Sequence, residues 1–135
     1  MGAWGVGPFD NDDAADWVYE VEDGGTDAIL DILEVVTDED DPGSEVGTAV
    51  IAAAELVAAM RGAPLPSLPD AVAELIPGLG PADDALVAAA VRAVAHVRTH
   101  GELAQLWAET DEHDAWLATL DDVTRRLGTS GGGDR

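Results

Sequence analysis

An all-α fold is the class this sequence predicts, and three observations lead there. Hydrophobic residues make up 47% of the chain, with alanine prominent, while aromatics supply only 4%. Alanine has the highest helix propensity, and its small side chain lets helices pack closely. Apolar residues recur at spacings of three and four, and β-branched runs of period two are missing. At 135 residues the chain suits one domain with its own core. The expectation is a compact bundle of about six to seven helices around two apolar central helices, about 45–61 and 82–99, with an ordered N-terminal loop. Residues 1–127 would form the single helical domain and 128–135, which are glycine-rich, a disordered tail.

The elements follow in order. Gly5, Gly7 and Pro8 disfavour helix, so residues 2–9 read as a loop. Asp10 is a good N-cap with Asp13 at the third helical position, and Phe9 and Ala14 stand where a hydrophobic staple would close. A first helix is expected from about Asn11 to Glu22, burying Ala14, Trp17, Val18 and Val21 and presenting Asp13, Asp16 and Glu20 as an acidic ridge. Gly24-Gly25 ends it. Thr26 would cap a helix over about 27–36, with Ile29, Leu30, Leu33 and Val36 inward. An acidic turn follows at Asp38-Glu39-Asp40-Asp41.

Ser44 would cap the next helix, about 45–61, whose only charge between Val46 and Met60 is Glu55. A helix apolar nearly all round belongs in the centre of a protein. Residues 62–70 are proline-rich and read as a connector, and a short helix over about 70–76 is expected to stop at Pro77-Gly78. The second central helix, about 82–99, carries the apolar run Ala85 to Val91. Two more complete the count: about 102–109, with Leu103, Leu106 and Trp107 inward, and about 112–127, with Trp116, Leu120, Val123 and Leu127 inward. Arg125 and Arg126 fall in the last turn, where the helix dipole favours cations. Trp4, Trp17, Trp107 and Trp116 come from the two ends of the chain and are expected to meet, closing the N-terminal loop onto the last helices.

Charge restricts the partners. The chain has 28 acidic residues against 6 arginines and no lysine. Residues 1–60 hold 16 of the acids and no basic residue. Such a field repels nucleic-acid phosphate and anionic membrane and favours basic partners. Solubility alone is the plain alternative. The apolar runs are too short to span a bilayer. The N-terminus lacks a basic region and an apolar run, so no signal peptide is expected, and a cytoplasmic location is. With no cysteine there is no disulfide, thiolate metal site or cysteine nucleophile.

Catalytic and metal patterns are incomplete. An EF-hand loop counted from Asp38 finds Asp40 and Gly43 in place but meets Pro42 and Ala49 where ligands belong. His96 and His100 are four apart on one helix face, with His113 or Asp111 as a further ligand, but the glutamate of a His-Glu-x-x-His zinc motif is replaced by Val97. Glu109 and Glu112 lack the downstream acidic pair of Mg²⁺-binding helical pyrophosphohydrolases. No catalytic residue, metal site or cofactor is assigned, and His96, His100 and His113 are the residues a metal would call on.

Gly2-Ala3-Trp4-Gly5, Gly7-Pro8-Phe9, Asn11-Asp12 and Ala15-Asp16-Trp17 together resemble the opening of a family of small bacterial proteins known as domain of unknown function 4259. The resemblance implies a helical single domain and carries no activity.

The leading expectation is therefore a non-enzymatic binding module, monomeric or homodimeric, that engages a basic protein surface as an immunity or antitoxin-like protein or a phosphate-mimicking inhibitor would. Its candidate partner-binding residues are Trp4, Asp12, Asp13, Asp16, Glu20, Asp38, Glu39, Asp40 and Asp41. The rivals are a metal-dependent hydrolase built on His96, His100 and nearby carboxylates, and a structural domain without a dedicated site.

Overall fold

A computed structural model of the chain describes residues 12–38, 43–63 and 70–128. Within them every regular element is helical: α1 (Asp12–Gly24), α2 (Thr26–Thr37), α3 (Ser44–Met60), α4 (Asp70–Ala73), α5 (Ile76–Leu79), α6 (Asp84–Thr99), α7 (Glu102–Ala108) and α8 (His113–Gly128). The expected N-terminal loop, the Asp10 cap and the C-terminal tail beyond Gly128 lie outside the described residues.

The α3 helix is the axis of the bundle, touching α1, α2, α5, α6, α7 and α8. Every residue from Gly47 to Met60 is buried, as its all-round apolar sequence requires. Small side chains let its neighbours come close. A β-carbon at Gly47 would stand 3.1 Å from both Cβ and Cδ2 of Leu103 on α7, so only glycine fits this crossing without displacement. The second central helix, α6, is more one-sided. It buries Leu86, Ala89, Ala90, Ala93, Val94 and Val97 against α2, α3, α7 and α8 and leaves Ala88, Arg92 and Ala95 exposed.

Several caps differ from the sequence expectation. Thr26 and Ser44 are the first residues of α2 and α3, and the caps are Gly25 and Gly43, neither with a side-chain cap bond. Gly25 alone joins α1 to α2. Its φ of 63° and ψ of −143° reverse the chain within one residue, a conformation that a β-carbon opposes. Backbone hydrogen bonds at the junction, Gly25 N–H to Val21 O at 2.8 Å and Ala28 N–H to Gly25 O at 3.1 Å, then hold the two helices as a hairpin. Asp83 is a true side-chain cap for α6, its Oδ1 accepting from the Leu86 N–H at 2.8 Å.

The segment after the connector also differs. Pro77 was expected to stop a helix over 70–76, yet it sits in the first turn of α5. Proline lacks an N–H, which the first turn of a helix does not use. The break falls earlier, at Glu74-Leu75, giving two single turns in place of one short helix.

Trp107 and Trp116 do meet: their rings stack 6.3 Å apart at 12°, and both are buried. Trp17 is buried in the same hydrophobic core, where α1 packs on α2 and α3. Trp4 lies outside the described residues.

Candidate functional site

The acidic ridge of α1 becomes one wall of a depression only because α2 folds back beside it. Trp17, Ala28, Ile32 and Val35 form an apolar floor, and Glu20, Asp23, Asp27 and Asp31 line it with carboxylates, enclosing about 400 Å³. Helical spacing accounts for the arrangement. Glu20 and Asp23 are three apart on α1, and Asp27 and Asp31 four apart on α2, so each pair stands on one face. Trp17 falls three before Glu20 and turns its ring inward, whereas Val35 at the far end of the floor is 45% exposed.

A second depression of about 240 Å³ shares Trp17, Glu20 and Ile32 with the first and adds Asp16, Glu45, Val46 and Ala49. The two form one trough from the start of α3 across α1 to the α1–α2 junction. Six carboxylates line it (Asp16, Glu20, Asp23, Asp27, Asp31 and Glu45), and none of its walls is basic. A third hollow of about 250 Å³, between α2 and the α5–α6 loop, continues from Asp27 and adds Asp83. The arginine ion pairs among the described residues, Arg61–Asp84, Arg98–Asp121, Arg125–Asp122 and Arg126 with Glu55 and Asp122, use acids from Glu55 onward. Like charges at these helical spacings repel, so the trough favours cations.

Of the residues singled out in the sequence, Asp16 and Glu20 are exposed and line the trough. Asp12 and Asp13 are in the first turn of α1, beyond which the described residues give no side-chain detail for them. Asp38 is exposed at the C-cap of α2 and does not line the trough. Trp4, Glu39, Asp40 and Asp41 lie outside the described residues. Asp23, Asp27 and Asp31 read from the sequence as solvated helix positions and are exposed; that they line one depression follows only from the α1–α2 hairpin.

The histidines are arranged differently from a ligand set. The His96 and His100 rings stack with centroids 4.4 Å apart and planes 2° from parallel. Ring nitrogens of parallel stacked imidazoles direct their lone pairs along parallel planes, not to one point. The His100 Nδ1 also lies 2.8 Å from the Thr99 hydroxyl. His113 stacks on Trp116 at 6.3 Å. Among the described residues no group of three or more His, Asp or Glu side chains converges to hold a metal ion. No described helix is long and apolar enough to cross a membrane.

The most deeply placed charge belongs to the framework. Glu55, fully buried in α3, receives two hydrogen bonds of 2.8 Å from Arg126, one to each carboxylate oxygen. The Arg126 Nε donates to Asp122 at 2.9 Å, and one terminal nitrogen also donates to the Ala63 carbonyl at 3.1 Å. Burial pushes the Glu55 carboxyl above its ordinary range while Arg126 pulls it down. Arg126 itself is held above its ordinary value, first by the hydrogen bond to Glu55. This pair lies in the core, away from the trough walls.

No curated protein and no solved structure matches the chain. A family model does, over residues 2–119, and the chain belongs to that family, described as a domain of unknown function (DUF4259).

Proposed function

We propose that this protein is a non-enzymatic binding module whose acidic N-terminal face engages a basic surface of a partner protein. The observation that carries this reading is the trough itself: six carboxylates around an apolar floor, with no basic residue in its walls. Complementary charge raises association rates and selects partners, and a water-excluding floor lengthens the life of the complex. An immunity or antitoxin-like protein, or an inhibitor mimicking nucleic-acid phosphate, would use such a face in the same way.

The test is a calorimetric titration with an octa-arginine peptide at 20 mM and 300 mM NaCl. The comparison is the fourfold variant Glu20→Gln, Asp23→Asn, Asp27→Asn, Asp31→Asn. Saturable binding is expected at low salt, weakened about tenfold or more by salt and by the variant. Equal binding by wild type and variant would mean that diffuse charge, not this face, attracts the peptide, and would overturn the proposal.

A further inference from the structure

Resting on the reading above, we infer that the occupant of the α1–α2 trough is a short amphipathic helix of a partner protein, with one or two apolar anchors seated on Trp17, Ile32 and Val35 and arginines or lysines facing Glu20, Asp23, Asp27 and Asp31. Three observations on the trough select this occupant. First, its chemistry is two-zoned: an apolar floor between carboxylate walls. A hydrophilic polycation matches the walls and leaves the floor uncovered, while a neutral apolar segment leaves the walls uncompensated. An amphipathic cationic helix satisfies both zones at once.

Second, the dimensions suit a helix. The floor runs from Trp17 to Gly24 along α1 and from Ala28 to Val35 along α2. Eight helical residues on each side, seven rises of about 1.5 Å, span about 10 Å, roughly two turns. A docked helix would therefore present anchors at spacing of three or four on one face, as two helices at a helix–helix contact do. Third, the described residues contain no strand and so no sheet edge to which an extended peptide could be added. Val35, 45% exposed with Ile32 half-buried beside it, is where an anchor gains most by excluding water.

The probe is a synthetic 16-residue peptide with leucines on one helical face and arginines flanking them, set against a scrambled peptide of identical composition. Both are titrated into the full chain, with circular dichroism showing that each variant retains its fold. The ordered peptide should bind about tenfold more tightly than the scramble, the gain from burying one apolar anchor. Val35→Ser should close most of that gap. Val35→Asp separates the zones further: it should weaken the ordered peptide and strengthen octa-arginine. If ordered and scrambled peptides bind alike, and both are weakened by the fourfold carboxamide variant, the helix inference is overturned and the acidic-face reading stands. If neither binds, both fall. If spermine displaces the ordered peptide at equal concentration, the trough is a site for small polycations and the helix inference is overturned.

Discussion

Arg126 reaches across the bundle from the last turn of α8 and grips Glu55 in the middle of α3, donating to both carboxylate oxygens at 2.8 Å. The same guanidinium closes onto Asp122 four residues earlier and onto the carbonyl of Ala63. That carbonyl follows a complete Schellman ending of α3, in which Ala63 N–H bonds Ala58 O at 2.9 Å and Gly62 N–H bonds Ala59 O at 3.0 Å. One side chain thus joins the centre of α3, its exit and the C-terminal helix.

Removing that side chain strands a carboxyl in the core. Arg126→Met is expected to lower stability by about 3–5 kcal/mol at neutral pH, the cost of an unpaired buried charge. The double variant Glu55→Leu, Arg126→Met should recover most of the loss, because an apolar pair of similar volume needs no compensation. Urea unfolding of the two single variants and the double variant checks this. A double variant no better than Arg126→Met would show that the ties to Asp122 and Ala63 matter more than the pair.

The pH dependence has a definite sign. Burial raises the Glu55 carboxyl above its ordinary value of 4.5 in the folded state. A raised acid contributes its stability fully below the unfolded value and loses it as pH climbs through the folded one. Without Arg126 nothing opposes that rise. The loss in Arg126→Met relative to wild type should therefore be smaller at pH 5 than at pH 7.5. Unfolding at the two pH values measures it, and a loss independent of pH would show that Glu55 does not take up a proton.

Gly47 tests the close approach of α3 to α7. Alanine would gain about 1 kcal/mol in helix propensity. Against this, the new β-carbon meets Leu103 Cβ at 3.1 Å, an atom fixed to its backbone that cannot rotate away. Overpacking of this kind costs about 1–3 kcal/mol, so Gly47→Ala should be destabilising by about 1 kcal/mol net. A rise in melting temperature would show that α7 yields easily.

Gly25→Ala should cost about 1–2 kcal/mol, since a φ of 63° with a ψ of −143° is strained for any L side chain. The effect is one of backbone and not of space, because nothing lies within 4 Å of the added carbon. Gly25→Ala, measured by chemical unfolding, should therefore be worse than Ala substitution at exposed Gly78, which has the same open space and no positive φ.

Salt should stabilise the fold. With a net charge of −22 the folded chain concentrates repulsion that counter-ions screen. Melting temperature should rise between 10 mM and 500 mM NaCl, by about 4 °C for each kcal/mol relieved. A fall would mean that the arginine ion pairs outweigh the repulsion.

Much of the fold is legible residue by residue. Trp17, Val18 and Val21 are buried on α1, Ile29, Leu33 and Val36 on α2, and Trp116, Leu120, Val123 and Leu127 on α8, each set at helical spacing. Such periodicity is local and reads directly from sequence. Helix starts were less legible: Thr26 and Ser44 have good capping chemistry, but the glycine before each supplies the turn. Of the trough, Asp16 and Glu20 are legible as an acidic ridge and Asp27 and Asp31 as solvated positions, which they are; that they line one depression with Asp23 is not legible, because it depends on how α2 packs beside α1.

Glu55 and Arg126 mark where local reading ends. A single acid in an apolar helix is conspicuous in the sequence, and an arginine in a last turn has a ready explanation in the helix dipole. Their union spans 71 positions and depends on the angle and register at which α8 crosses α3, which no local pattern encodes. The sequence by itself determined the helical class, the buried faces and the one-sided charge, because propensity, periodicity and composition act over a few residues. Tertiary structure alone decided that the α1–α2 hairpin makes a trough of its acids and that the buried acid of α3 finds its counter-ion, because each requires side chains on different helices to meet in space.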